Sequence, residues 1–523
     1  MPTVLILAIF LASLFQSSAT VQVTLGKNFI GSTYLSDTGA TPPDSDGAIG
    51  PNHFVELING RFSVFDKNSG AKVQTRTDTA FWSAAGISFG GGITVSDPRI
   101  IFDRLTQRWF ASQIDFNPNN LKNNRFLVAI SATNDPTGTW KAVAFQADAS
   151  GNFADFPMLG LNASGVYLGA NMFAPGGAFA GVSLTSIPKA DLLLSTPTAT
   201  NRTTTGILAV SDNGFSLQPA VNFDPSNTVE TVLAVDSNGT DFLPHFTLKS
   251  FQVLDASTPA ATFTGNIDIA VPEFDVPIDP TQPTGINTLA DGDSRISALI
   301  YQMGNIIYAV HGTQINSNAA VQWFKVDATT DTLIDSGTIS DPILEFFYPS
   351  IAANEFGYVV IAFSGCATNT FVSSYAVVGE TINGALTFGN PIQLKRGLST
   401  YEVLNGSPPE SRWGDYSATS VDPTNPFRFW TIQEFTSSHN IWSTQISEIR
   451  LAPVLPPLQI TATGGSALIS WPTNGADGFV LDSAPAVVGG TWSPVTNSVT
   501  MTGGTNFVTV DATSLQQYFR LRR

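Results

Sequence analysis

Five aspartates, Asp46, Asp97, Asp155, Asp293 and Asp415, each stand one to three residues ahead of a short apolar run. Arg99, Arg295 and Arg412 fall in the same zones, with Tyr348, Tyr416 and Trp413 close by. Gathered in one place, these residue types would form a polar pocket. Crowded carboxylates raise one another's pKa values, so that one can stay protonated as a general acid. Guanidinium groups grip a carboxylate or sulfate through forked hydrogen bonds. A tyrosine beside an acid can serve as nucleophile or base in glycoside hydrolysis. Asp97, Asp155, Asp415 and Tyr348 are therefore the catalytic candidates. Arg99, Arg295, Arg412, Trp413 and His53 are the substrate-binding candidates, His53 also as a proton shuttle.

The same residues have a plainer use. Aspartate ahead of a proline or a strand forms turns by accepting a backbone N–H two residues on, and Arg–Asp pairs tie neighbouring strands. Two carboxylates about 5–10 Å apart in one open pocket would mark an enzyme. A filled mouth, or acids each bound to their own turn, would mark a non-catalytic platform.

Convergence of such distant residues requires repetition, and the chain supplies it. A turn residue, often proline, leads a short alternating strand; a polar turn and a stronger apolar strand follow. Copies begin at Gly47, Pro98, Pro157, Pro219, Ile296, Pro349 and Ser417, on average about 62 residues apart. Further strand-like runs lie between them, such as "RFSVFDK" (61–67) and "AVQWFKVD" (320–327). Each unit thus holds about four strands, one blade of a β-propeller. The reading is an all-β, seven-bladed β-propeller over 20–451, with six or eight blades as alternatives because one spacing is loose. "VQVTL" (21–25) is expected to close the ring beside "IWSTQISEI" (441–449). In "SRWGDYSATSVDPTNPFRFWTIQEF" (411–435), Phe427, Phe429 and Trp430 read as core.

"APVLPP" (452–457) is a Pro-rich linker. The short, evenly spaced strands of 458–523 suggest a small β-sandwich of immunoglobulin or fibronectin III kind. At the other end, residues 1–19 read as a signal peptide: "VLILAIFLASLF" (4–15) is too short to span a bilayer, and small residues precede a cut near Ala19. The expected location is therefore outside the cytoplasm, whether secreted, on the cell surface or in the periplasm, with no membrane span in the mature chain.

Composition agrees. Of 523 residues 43% are apolar and only 12% charged, while Gly (44), Pro (32) and Phe (37) are abundant, which suits many short strands joined by turns. The net charge of -17 repels a phosphate backbone and excludes nucleic acid as a partner. The single cysteine, Cys366, allows no internal disulfide. Phosphate loops, GxSxG elbows, HExxH and paired CxxC motifs are absent from the sequence. Asp44 and Asp46 open "PDSDGAIGPNHF" like a calcium loop, but Ala48 and Val55 occupy positions that must supply oxygen. A looser calcium site at Asp44 and Asp46 is the one metal expectation; no cofactor is required.

"PPDSDGAIGPNHFVELING" (42–60), "DPRIIFDRLTQRWFASQ" (97–113), "DFPMLGLNASGVYLGANMF" (155–173) and "RWGDYSATSVDP" (412–423) resemble the recurring signatures of secreted bacterial β-propeller proteins of sialidase-like type. The stretch from "LQITATGGSALISWP" to "YFRL" is similar to a module appended to many secreted proteins of environmental bacteria. The resemblance implies a propeller and export, on a fold that hosts hydrolases, lyases, lectins and scaffolds alike. "SATNDPTGTW" (131–140) is a degenerate aspartate box, a turn element of sialidases, with one extra residue. The expected function is recognition, with or without cleavage, of an extracellular glycan or polysaccharide at the channel mouth. If cleavage occurs, it would be glycoside hydrolysis or lyase chemistry. The alternative is a non-catalytic surface or adhesion scaffold that binds a protein partner.

Overall fold

A computed structural model describes residues 21–522 except 237–242, 284–286, 383, 406–408, 453–456, 464, 474–478, 488–489 and 512–516. The signal-peptide reading of 1–19 and most of the Pro-rich linker lie outside the described residues. The described residues divide into two units: one holds those of 22–378 and 390–452, the other Val21 and those of 379–389 and 457–522.

The first unit is built of antiparallel meanders, seven of them among the described residues. Their first strands are Asp46–Ile49, Thr94–Asp103, Phe153–Leu161, Phe215–Asn222, Ile300–Met303, Glu345–Ala353 and Ala418–Val421. Each first strand neighbours the next in order, and Ala418–Val421 returns to lie beside Asp46–Ile49. The circle therefore closes, as in a β-propeller, and the all-β propeller expectation holds. Three first strands also pair in parallel, Leu161 with Val221 and Ala220 with Ile300.

Closure is completed by the chain's own beginning. Gln22–Thr33 pairs antiparallel with Ile441–Ala452, Gln22 opposite Ala452 and Leu25 opposite Ile449. This adds the outermost strand to the last meander and covers an edge that would otherwise be open. The seam is polar and buried. Glu56 accepts hydrogen bonds from the Ser32 hydroxyl at 2.6 Å, the Ser32 N–H at 3.0 Å and the Thr444 hydroxyl.

Cores lie between successive meanders. Val55, Leu57 and Phe62 of the first pack with Ile100, Phe102 and Trp109 of the second. Ile49, Phe54 and Phe65 of the first also pack with Trp430, Ile432 and Ile446 of the last. Strands covered on both faces read as near-continuous apolar runs: all nine residues of Glu345–Ala353 are buried, and only Glu345 and Ser350 interrupt the apolar and aromatic run. Each large apolar side chain so buried contributes about 1.5–3 kcal/mol. Trp430 and Phe429 are core residues, as read from the sequence, whereas Phe427 is only half-buried, stacked on Phe356.

The second unit contains a four-stranded sheet (Gln459–Thr463, Ser466–Pro472, Thr505–Asp511, Thr500–Thr502) and a three-stranded one (Ser493–Pro494, Val480–Ala484, Tyr518–Arg522). Ile469, Trp471 and Val508 of the first share a core with Leu481 and Leu521 of the second. None of the described helices is long and apolar enough to cross a membrane.

Candidate functional site

The heads of the first strands carry a repeated irregularity. Pairing slips between Ser96 and Arg99, Asp155 and Met158, Phe215 and Gln218, and Phe347 and Ser350. Within these bulges Asp97, Phe156, Ser216 and Tyr348 take positive φ of 59°, 53°, 59° and 47°. A bulge bends its strand and re-aims a side chain. The left-handed conformation costs Phe and Tyr roughly 1–2 kcal/mol each, so the surrounding structure must hold them there. Three of the four precede proline (Pro98, Pro157, Pro349).

The middle of the ring is filled. Arg99, fully buried, lies with Cζ 3.3 Å from the centroid of the Tyr416 ring and Nη1 3.5 Å from Asp46 Oδ2. Its Nε donates to the Pro157 carbonyl at 3.3 Å. Phe156, Met158 and Tyr416 form one buried cluster beside it, and the Tyr416 hydroxyl donates to the Pro98 carbonyl at 3.0 Å. Burial pushes the Asp46 carboxyl up to about 7 despite Arg99.

Around this plug the acids do converge. Asp155 is pushed up to about 8 by burial first, then by the charges of Asp97 and Asp415, with Arg295 opposing. Asp97 rises through burial and Asp415. Asp44 rises well above the usual carboxylate range through burial, Asp415 and Asp97, with Arg412 opposing. Acids at the heads of four meanders thus share one field. Most of these carboxylates nevertheless have partners. Asp97 Oδ2 accepts the Phe156 N–H at 2.9 Å and Oδ1 the Ser96 hydroxyl at 2.8 Å. Asp415 accepts from Arg412 Nη2 at 2.6 Å. Asp293 takes the Arg295 N–H at 2.9 Å, its Nε at 2.7 Å and its Nη2. Asn59 bridges two acids, donating to Asp44 Oδ2 at 2.7 Å and accepting the Asp97 N–H at 3.0 Å.

One narrow pocket opens at this end, lined by Phe156, Asp291, Asp293, Arg295, Tyr348 and Asp415 among others, with about 30 Å³ for water. That is space for roughly two water molecules at about 10–15 Å³ each. The Arg295 guanidinium spreads over Phe156, 4.4 Å from its centroid, and the Tyr348 hydroxyl donates to the Ala290 carbonyl at 2.9 Å. Burial, then the charges of Asp415 and Asp291, push the Tyr348 phenol well up, which opposes a role as nucleophile. A wider cleft of about 380 Å³ borders the same end between the first two meanders. Thr41, Asn59, Asp78, Thr79, Thr94 and Ser96 give it a polar wall.

Several candidates lie elsewhere. Trp413 is buried in the core, its indole N–H donating to Ser364 Oγ at 3.1 Å and its ring 5.1 Å from that of Tyr401. An aromatic beside charged residues fits either setting by sequence. His53 begins the second strand of its meander, next to the far end of Asp46–Ile49, and lies 4.0 Å from Asp135; it is away from the mouth. Arg99 is part of the plug, out of reach of a ligand. Asp44 and Asp46 face Asn59 and Arg99, and among the described residues no three His, Cys, Asp or Glu are grouped to hold a metal. Asp135 anchors its turn, accepting from the Thr137 N–H at 2.9 Å and hydroxyl at 2.7 Å. Sequence reasoning missed Asp291, Asn59 and Phe156. The only signal was the doubled acid in "DGDSR" (291–295).

No protein-family model and no curated protein matches the chain. Among solved structures it is similar to a protein of unknown function from Dyadobacter fermentans (11% identity, TM-score 0.39, covering 70% of this chain and 97% of that one). It is also similar to the exo-β-1,3-galactanase 1,3Gal43A from Clostridium thermocellum (10%, 0.29, 92% and 99%). A third is an exo-1,5-α-L-arabinanase from a bovine ruminal metagenomic library (11%, 0.31, 67% and 95%). At scores this low none of them carries an argument about activity.

Proposed function

We propose that this chain is an exported, non-catalytic recognition protein whose propeller mouth and bordering cleft bind an extracellular glycan. The observation that carries the reading is the pairing of the mouth acids. Asp97, Asp293 and Asp415 are each held by a neighbour, and the plug of Arg99 and Tyr416 closes the channel behind them. Acids so tied, around a pocket with room for about two waters, suit binding better than hydrolysis. The cleft, at about 380 Å³, falls in the usual range of ligand sites, about 300–1,000 Å³, and its hydroxyl, amide and carboxylate wall matches the donors and acceptors of a sugar.

The test is to incubate the protein with a polysaccharide panel and measure both retention and new reducing ends. Wild type should be retained on at least one glycan without releasing reducing ends, and Thr94→Trp, which fills the cleft, should lose that retention. Retention on none would overturn the reading. Release of reducing ends that Asp155→Asn abolishes would replace it with catalysis.

A further inference from the structure

The narrow pocket beneath the mouth has a property that the paired acids lack. Asp291 forms part of its wall, is only 3% exposed, and its Oδ2 has no hydrogen-bond partner. A buried carboxyl oxygen left unpaired is costly, and native structures nearly always supply a partner. The charged and phenolic donors of the wall are directed elsewhere, and the Ser297 hydroxyl, which also lines the pocket, makes no bond to that oxygen. Arg295 directs Nε and Nη2 at Asp293, and the Tyr348 hydroxyl is spent on the Ala290 carbonyl. Of the three carboxylates in the lining, Asp293 is paired with Arg295 and Asp415 with Arg412, which leaves Asp291 without a cation. The pocket therefore asks for a guest that is small, cationic and rich in donors, and its volume excludes a sugar ring while admitting a single protruding group.

We propose that this pocket seats the protonated primary amine of an aminated glycan, with Asp291 as its counter-ion. The inference rests on the glycan-binding reading and names its ligand class: the ring lies in the mouth and cleft, and the ammonium group projects inward. Three N–H donors can be taken up by the free Asp291 Oδ2 and the lone pairs left on Asp415 and Asp293. An N-acetylated sugar presents no charge and a group too bulky for about 30 Å³. A metal ion is a poorer guest, because the described residues offer no three-ligand group.

The experiment compares binding of β-1,4-linked oligomers of glucosamine, N-acetylglucosamine and glucose by titration calorimetry, with a lysine-rich peptide as a fourth probe. Wild type should bind the glucosamine oligomer at least tenfold more tightly than the other two sugars. Methylammonium should compete with it and leave any weak binding of the glucose oligomer unchanged. Asp291→Asn, close in shape, should lose the tenfold preference. Equal or tighter binding of the neutral oligomers overturns the inference while leaving glycan recognition standing. So does an undiminished preference in Asp291→Asn, or the absence of methylammonium competition, which needs no variant to fold. Binding of the peptide alone replaces the glycan with a lysine-bearing protein. Binding of no oligomer overturns this inference, and silence across the whole polysaccharide panel overturns the parent reading as well.

Discussion

Arg99 and Tyr416, more than three hundred residues apart in the chain, meet at the centre of the ring, the guanidinium carbon over the phenol ring 3.3 Å from its centroid. Asp46 Oδ2 stands 3.5 Å from the same guanidinium. The second, seventh and first meanders therefore meet in one buried contact. Removing one member of a buried pair leaves the other charge uncompensated, at a cost of about 3–5 kcal/mol. Arg99→Met should lower the free energy of unfolding in urea by that amount at pH 8. The double variant Arg99→Met/Asp46→Asn should recover most of the loss. Equal stability of Arg99→Met and wild type would show that the pair does not hold the centre together.

Asp97 carries a second link between meanders, because its Oδ2 accepts the N–H of Phe156, a residue held at positive φ. Asp97→Ala leaves that buried N–H unpaired and should cost about 1–3 kcal/mol. Asp97→Asn keeps an acceptor and tolerates the same backbone; it should cost less than half as much. Urea midpoints of the two variants decide. If Asn and Ala are equally harmful, the role of Asp97 is its charge and not its turn.

Stability should fall as the solution becomes more alkaline. The carboxyls of Asp46 and Asp155 rise from a usual value of 3.8 to about 7 and about 8 in the folded protein. Glu56 and Asp78 are also raised, chiefly by burial. A folded-state pKa above the unfolded one means that the native protein holds the proton more tightly. The resulting stability is present below about pH 4 and is lost as pH climbs through about 7 to 8. Exposed turn acids such as Asp66 and Asp327 are lowered by their hydrogen bonds and act the other way, below pH 4. The melting temperature should therefore be higher at pH 5.5 than at pH 8.5, with a shallower slope in Asp155→Asn. A melting temperature that climbs toward pH 8.5 would contradict these environments.

The seam offers a packing test. A Cβ at Gly31 would collide with Glu56 Oε1 and Thr444 Oγ1, so Gly31→Ala must displace the hydrogen bonds that join the first strand to the last meander. A loss of about 1–3 kcal/mol, the usual cost of overpacking, is expected in urea. Unchanged stability would place Glu56 outside the seam.

Repetition made the architecture legible. Alternating runs after Gly47, Pro98 and Pro349 marked first strands, and "VQVTL" marked the closing strand, because period-two burial is written directly in residue types. The acids ahead of those runs were found for the same reason. Their use was not, since the direction of a side chain at a bulge depends on a backbone angle that no residue type announces. For Asp97 and Asp415 the sequence offered both a catalytic and a turn-forming use, and only the structure shows the partner each has. Trp413 looked like a ligand platform because burial in a core and stacking on a sugar favour the same residue. Asp291 was passed over because "ADGDSRIS" (290–297) has no strand periodicity to place it.

The account stands on the closed circle. Thr24 and Arg450 face one another across the seam between the chain's first described strand and its last meander, and facing strand residues lie within the span a disulfide can bridge. The decisive measurement is oxidation of Thr24→Cys/Arg450→Cys, read by non-reducing electrophoresis and thermal melting. Closure predicts a monomeric cross-linked species that reverts on reduction and is stabilised by about 2–4 kcal/mol. Two thiols that both react with an alkylating reagent yet never join under oxidation would contradict it, and the shared mouth would fall with the ring.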